Sequence, residues 1–430
     1  MSYPYKHPAD EIVETMNRLY YHGMTTTSGG NLSIMDEHGV LWISPTGVDK
    51  GNLTRDDIMQ VLPDGSFAGR NRPSVEYPFH LSVRRVRPEL RAVLHAHPTP
   101  LVAFSLMRLI PDPTLLPDTA GLCGKISMAT YAIPGSQTLG DYISGEFAKG
   151  YNTVMLENHG VVIGAPTMRE AFRMFETLDF TARVQIAAAT LGKTPRGLGE
   201  AELARYAAFR APEYEKLPAY TPTAEEIDLR RAVCRMNSRA YGLQLFTSVD
   251  GVTSVRLADG SQVITGEGND ALTNAPEDLV RVADNAAEAE KTPSRYAEFC
   301  KKLYAKYPEF KAVMIARCPN IMAFAHTDAV FDARLIPESY IQLKNVPVLP
   351  FLSLLEDADT ALAALSPKNP VAIVRGDCVI SCGTSLLAAY DHLEVLEYSA
   401  RSLVSCAAVG APVVKLSDQE VRDIEVAFGL

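Results

Sequence analysis

The sequence predicts an α/β protein made of two tandem copies of one domain, and three observations carry that prediction. At 430 residues the chain is too long for one ordinary core, so about two domains are expected. Short apolar, β-branched runs alternate along it with stretches at helical spacing. The second half also repeats the first. Pro73-Ser74, Phe79, Ala92-Val93 and Ala103-Phe104 recur as Pro293-Ser294, Phe299, Ala312-Val313 and Ala323-Phe324, each 220 residues on. Met16-Asn17 and Tyr21 recur at that offset as Met236-Asn237 and Tyr241, and Phe180 to Arg183 recurs 218 residues on as Tyr398 to Arg401. The expected division is a first domain over 1–195, a proline-rich linker over 196–222 and a second domain over 223–430.

Asp10 to Tyr21 has helical spacing, with Ile12, Met16, Leu19 and Tyr20 on one face. It stops at Gly23 and gives way to Thr25-Thr26-Thr27-Ser28-Gly29-Gly30-Asn31, a hydroxyl- and glycine-rich loop leading into a strand, Leu32 to Met35. Such a loop lets backbone and hydroxyl donors approach an anion, although most loops of this composition are only turns. Ser44-Pro45-Thr46-Gly47 repeats the composition after the strand Val40 to Ile43, and Arg72-Pro73-Ser74 does so ahead of Glu76. Glu76 opens a helix with Phe79, Val83 and Val86 in phase, which leads to a buried strand ending at Leu94. Further on come a helix over Thr99 to Leu109, a strand around Ser127 to Ala132, and a helix over Gln137 to Lys149. A strand ending at Leu156 follows, with a hairpin partner in Val161 to Ile163. Thr167 and Glu170 form a capping box that starts a long helix reaching about Leu191.

His95 and His97 stand at i and i+2 at the end of a strand, so their side chains project from the same face. His159 ends another strand-like run, and Glu76 offers a carboxylate. Three imidazoles and a carboxylate are a zinc-type donor set, in which the carboxylate can also act as a base. A His-x-His pair also occurs at exposed strand ends without metal, and it is the neighbouring anion loops that favour the metal here. No Gly-x-x-x-x-Gly-Lys-Ser/Thr or Gly-x-Gly-x-x-Gly motif accompanies them.

Composition narrows the field further. An apolar content of 47%, a charged content of 21% and a net charge of −10 describe a globular protein without a general nucleic-acid surface. No run approaches the ~20 apolar residues of a membrane span, and the N-terminal stretch has no apolar signal core, so a cytoplasmic protein is expected. Seven cysteines fit reduced thiols, with Cys378 and Cys382 as small buried residues.

The second copy has lost this chemistry. At the offsets above, Glu76 becomes Tyr296, His95 becomes Ile315, His97 becomes Arg317, His159 becomes Asp377, and Asn31 falls opposite Gly251.

Five motifs, Thr27-Ser28-Gly29-Gly30-Asn31-Leu32-Ser33, Ser44-Pro45-Thr46-Gly47, Pro73-Ser74-Val75-Glu76, His95-Ala96-His97 and Asn158-His159-Gly160, stand in the order found in the class II aldolase/adducin family. They resemble most its L-fuculose-1-phosphate aldolase branch and cover residues 10 to about 195; the second half resembles the family only through its apolar framework. The resemblance implies two tandem α/β/α domains, each around a largely antiparallel sheet. It implies Zn2+, or another divalent metal, on His95, His97 and His159, with Glu76 as fourth ligand or general base. Tyr131 matches the family's proton donor toward the departing aldehyde, while as a residue it reads equally as a half-buried strand aromatic. Asn31, Thr46, Gly47 and Ser74, with Ser44 in the same loop, match the pocket for the substrate phosphate. The implied activity is retro-aldol cleavage of a phosphorylated ketose or related acidic sugar through a metal-stabilised enediolate. Decarboxylation of a 3-oxo sugar-acid phosphate uses the same chemistry. Epimerisation ranks lower, because that branch has Asp where Glu76 stands, and an adducin-like structural module suits only the second copy. Val75 departs from the family's second hydroxyl, a loss of roughly 1.5–3 kcal/mol if that bond is charge-assisted. The resemblance finally implies a homo-oligomer, two tandem chains completing a pseudo-fourfold ring.

Overall fold

The apolar run before the two histidines forms strand Ala92–Ala96, the centre of an eight-stranded sheet in the computed structural model, which describes residues 6–430. From one edge the order is Phe67–Ala68, Met59–Val61, Leu41–Ile43, Asn31–Met35, Ala92–Ala96, Val161–Ala165, Thr153–Leu156 and Ile126–Ala129. All neighbours run antiparallel except the last pair, which is parallel. Among the described residues, this sheet belongs to a compact unit holding Lys6–Pro113 and Asp118–Ala182; a second unit holds Thr114–Pro117 and Arg183–Leu430.

Alternation along the strands sorts two cores onto opposite faces. Leu94 and Ala96, with Val161 and Ile163, pack against Ile12, Met16, Phe104, Phe175 and Leu178 from the helices Pro8–Tyr21, Thr99–Met107 and Met168–Thr190. Val93, Val154 and Val162 point the other way, against Phe79 and Val83 of helix Tyr77–Val86 and Ile143 and Phe147 of helix Gln137–Ala148. Each Val, Leu, Ile, Phe or Met among these, fully buried, contributes about 1.5–3 kcal/mol. The helix starts are chemically marked. Ser136 Oγ accepts from Leu139 N–H (3.2 Å), and the expected capping box is present, with Glu170 N–H donating to Thr167 Oγ1 (3.2 Å) and Thr167 N–H to Glu170 Oε2 (3.2 Å).

The second unit repeats this plan in a nine-stranded sheet centred on Ala312–Ala316. Its extra strand, Glu215–Lys216, comes from the proline-rich stretch, which also carries helix Glu200–Ala208. The register of the repeat needs one correction. Asn31 lies opposite His95, and Val252 opposite Ile315, so Asn31 corresponds to Val252 and not to Gly251. The first helix agrees: Ile12, Met16 and Leu19 are buried, as are Val233, Asn237 and Ala240, each 221 residues on. The recurrence of Met16-Asn17 as Met236-Asn237 is therefore out of phase by one residue, about 100° around a helix. The offset returns to 220 in one hairpin. Five residues separate Val61 from its partner Phe67, whereas four separate Val282 from Ala287.

All seven cysteines are free thiols, Cys378 and Cys382 fully buried among them. No helix among the described residues is long and apolar enough to cross a membrane.

Candidate metal centre

His95 shares the sheet face of Val93, beneath helix Tyr77–Val86, and is completely buried. Its Nδ1 lies 2.9 Å from the carbonyl oxygen of Val161. A carbonyl only accepts, so Nδ1 carries the proton and Nε2 presents a lone pair to the site. His97 brings its Nε2 to 2.9 Å from that atom, and His159 completes a triangle whose ring centroids are 4.6–4.8 Å apart. The three ligand nitrogens lie within 4.8 Å of one another. His159 sits in the turn between Thr153–Leu156 and Val161–Ala165, pressed so close to the first histidine strand that position 160 must be glycine. A Cβ there would stand 2.6 Å from the Ala96 carbonyl oxygen and 2.7 Å from His97 Cδ2. Burial pushes the pKa of both His95 and His97 down to about 3, aided by neighbouring imidazoles, and burial lowers His159 too. Neutral imidazole is the form that binds a metal.

Glu76 is the N-cap residue of helix Tyr77–Val86, which starts with Pro78 in its first turn, and the helix start aims the carboxylate at the histidines. Its Oε2 lies 3.5 Å from His95 Nε2 and accepts from Asn31 Nδ2 at 2.7 Å; Oε1 lies 4.0 Å from His159 Nε2. Oε1 is buried and has no hydrogen-bond partner. A carboxylate oxygen left bare beside three neutral nitrogen donors is costly unless something positive sits among them. The donor set thus fits a divalent cation, with His95, His97, His159 and Glu76 as its holders.

The expected anion residues gather next to Glu76. Pro45–Thr46 pairs with Arg72–Pro73, and Ser74 N–H donates to the Ser44 carbonyl (3.2 Å) while Ser74 Oγ accepts from Glu76 N–H (3.3 Å). Gly47 has φ +68°. Ser44 is fully buried, and its Oγ accepts from Leu32 N–H (3.1 Å), a brace that Thr265 repeats on Thr253 in the second copy. Tyr131 stands 54% exposed; its backbone N–H, not its hydroxyl, is tied down, to Glu157 Oε2 (3.1 Å).

Two residues escaped the sequence reading. His80, completely buried and kept neutral by that burial, sits between Asn31 Oδ1 and Ser33 Oγ. Its signal was present, since Glu76 and His80 are one helical turn apart. Lys50, also buried, donates from Nζ to the Pro45 carbonyl and from its backbone N–H to Thr27 (2.9 Å), joining two of the glycine-rich loops. Burial lowers its pKa to about 8. A lysine between Asp49 and Gly51 reads as an exposed turn, so nothing local announced it.

In the second copy a guanidinium occupies the corresponding place. Arg317, at the position of His97, bonds Asp377 Oδ1 (3.0 Å), at the position of His159, and Asp250 Oδ1 (3.1 Å). Its Nε donates to the Asp377 carbonyl (2.6 Å) and its backbone N–H to Asp250 Oδ2 (2.7 Å). Tyr296, at the position of Glu76, is buried and carries no carboxylate.

Stretches of the chain resemble known proteins. Over 178 residues the chain is 33% identical to the 3-oxo-tetronate 4-phosphate decarboxylase of Pectobacterium atrosepticum, covering 40% of this chain and 81% of that protein. It is 30% identical over 197 residues to the 5-deoxy-D-ribulose 1-phosphate aldolase of Bacillus thuringiensis, covering 45% and 91%. Among solved structures, a sugar-phosphate aldolase from Thermotoga maritima is 26% identical over 44% of this chain and 97% of its own, with a TM-score of 0.37. The model of the class II aldolase and adducin N-terminal domain matches twice, at residues 10–186 and again at 231–404. With both copies matched and the fold repeated in each, the chain belongs to the class II aldolase and adducin family as a tandem duplication.

Proposed function

We propose that the first copy is a metal-dependent carbon–carbon lyase acting on a phosphorylated sugar or sugar acid, and that the second copy has no catalytic site. One observation carries the reading: Glu76 has one oxygen held by Asn31 and the other free, facing three neutral imidazoles. A bound divalent cation, zinc by donor type, would supply Lewis acidity that steadies the negative charge left on substrate oxygens when a C–C bond breaks. The chain's own residues do the rest. Ser74 and the backbone around Thr46 and Gly47 offer donors for the phosphate, and Asn31 lies beside them. Glu76 Oε1 is the proton carrier. Unprotonated at rest, Oε1 first takes up a proton, from the substrate hydroxyl in aldol cleavage or from water in decarboxylation. It then delivers that proton to the carbon that keeps the bonding electrons, with no competing hydrogen bond to lose. In aldol cleavage that same hydroxyl oxygen departs as the aldehyde, and Tyr131 is the residue offered to hydrogen-bond it as it loses its proton.

A second reading, decarboxylation of a 3-oxo sugar-acid phosphate, has a specific support: the relatives at 33% and 32% identity carry that activity in their names. It needs the same protonation by Glu76 and no group at an aldehyde oxygen, since CO₂ leaves instead. The full chain loaded with zinc should be incubated with ketose 1-phosphates and with 3-oxo acid 4-phosphates, following aldehyde and CO₂ separately. Aldehyde release supports the first reading and CO₂ the second. A zinc-loaded chain that breaks no C–C bond in either panel would sink both. The implied homodimer is tested by light scattering on the same sample, where a monomer would remove it.

A further inference from the structure

Strand register puts Asn31 directly opposite His95, and Ser33 opposite Val93, all four on the face beneath helix Tyr77–Val86. His80 comes down from that helix between Asn31 and Ser33. The three contacts that result can be oriented by chemistry alone. A carboxylate only accepts, so the Asn31 amide must turn its Nδ2 to Glu76 Oε2 (2.7 Å). That leaves Asn31 Oδ1 facing His80 Nε2 (2.5 Å), and Nε2 must carry the proton. His80 Nδ1 is then an acceptor, and Ser33 Oγ (2.7 Å) donates to it. The chain of donors therefore runs one way, from Ser33 through His80 and Asn31 to Glu76.

We propose that His80 is a positioning residue: it locks the Asn31 carboxamide in the one orientation that grips Glu76 Oε2 and keeps Oε1 turned to the three imidazoles. The duplication separates this role from simple core packing. The second copy keeps the apolar residues of this helix, Phe79 as Phe299 and Val83 as Leu303, both buried. Yet it has Cys300 for His80, Val252 for Asn31 and Tyr296 for Glu76, lost together with the metal histidines. Only the serine remains, as Ser254, and it now bonds Gln262 (2.8 Å) and Tyr304 (3.1 Å). A core of this shape packs well without the imidazole; the carboxylate is what needs it.

The test has one arm free of any activity assay. Nitrogen-15 NMR of histidine-labelled full chain, with His80 identified by its loss in His80→Gln, should show Nε2 protonated and Nδ1 bare. Zinc titration should then find His80→Leu weakened ~10–100-fold, the usual effect of removing a residue behind a ligand, and His80→Gln within a few-fold of the parent, because its amide can donate and accept at the same two places. The kinetic arm rests on the lyase reading: His80→Leu should lower kcat ~10–100-fold with KM little changed. A His80 protonated on Nδ1, a folded His80→Leu that binds zinc like the parent, or a folded His80→Gln as weak as His80→Leu would each overturn the proposal. If His80→Leu does not fold, the tautomer and His80→Gln decide it. A parent chain with the expected tautomer and zinc response but no turnover would overturn the lyase reading and leave this one standing.

Discussion

The two copies solve one electrostatic problem in two ways. Both bring strand ends and a helix start to the same place on the sheet. The first fills it with three imidazoles around a bare carboxylate oxygen, a donor set that fits an exchangeable cation. The second fills it with Arg317, a cation that cannot leave, clamped between Asp250 and Asp377. The fold tolerates either, so the histidine cluster is not what holds the domain together. It is also an asymmetric exchange. A guanidinium fully engaged with two carboxylates has no coordination position to offer a substrate.

The comparison can be broken most strongly at His95. His95→Ala should abolish metal binding and turnover, since two imidazoles make a poor site, while the second copy retains its fold; metal analysis after gel filtration beside circular dichroism reads both. Metal near two equivalents per chain in the unaltered protein would mean that the second copy also binds, against its Arg317 geometry. Next in size is Glu76→Gln, which should keep most of the metal and lose ~10²–10⁴-fold in kcat, as general-base removal does. Full activity would show that Glu76 has no proton to carry.

On the other copy, Arg317→Met should cost about 3–5 kcal/mol, because it removes the guanidinium bonded to Asp250 and to the fully buried Asp377. Adding Asp377→Asn should recover part of that loss, and neither variant should change the zinc stoichiometry. Urea unfolding of the set measures it. A smaller effect distinguishes the first copy by pH. His95 and His97 titrate near 6.5 when unfolded and near 3 when folded and metal-free. Below 6.5 the unfolded chain takes up protons that the folded chain refuses. Their contribution to stability is therefore complete above pH 6.5 and is lost progressively as pH falls toward 3. Melting temperatures of the metal-free protein should decline through that window, and His95→Gln should flatten the decline.

By itself the sequence determined what is local. A period of two placed His95 and His97 on one face, and Thr167 with Glu170 marked a helix start that formed as expected. Motif order was enough to bring Glu76 and His159 into the same set. Tertiary structure decided everything that depends on register between distant segments. It placed Asn31 across from His95 and so tied it to Glu76, and it brought His80 into the chain between Asn31 and Ser33. It also moved the first helix and strands of the repeat from an offset of 220 to 221, turning an apparent match at Met236-Asn237 into a coincidence. The reason is physical. Alternation and capping are set by neighbours in the chain, whereas which residue faces which across a sheet is set by the lengths of the turns between strands. One residue in the hairpin after Val61 is enough to slide that relation.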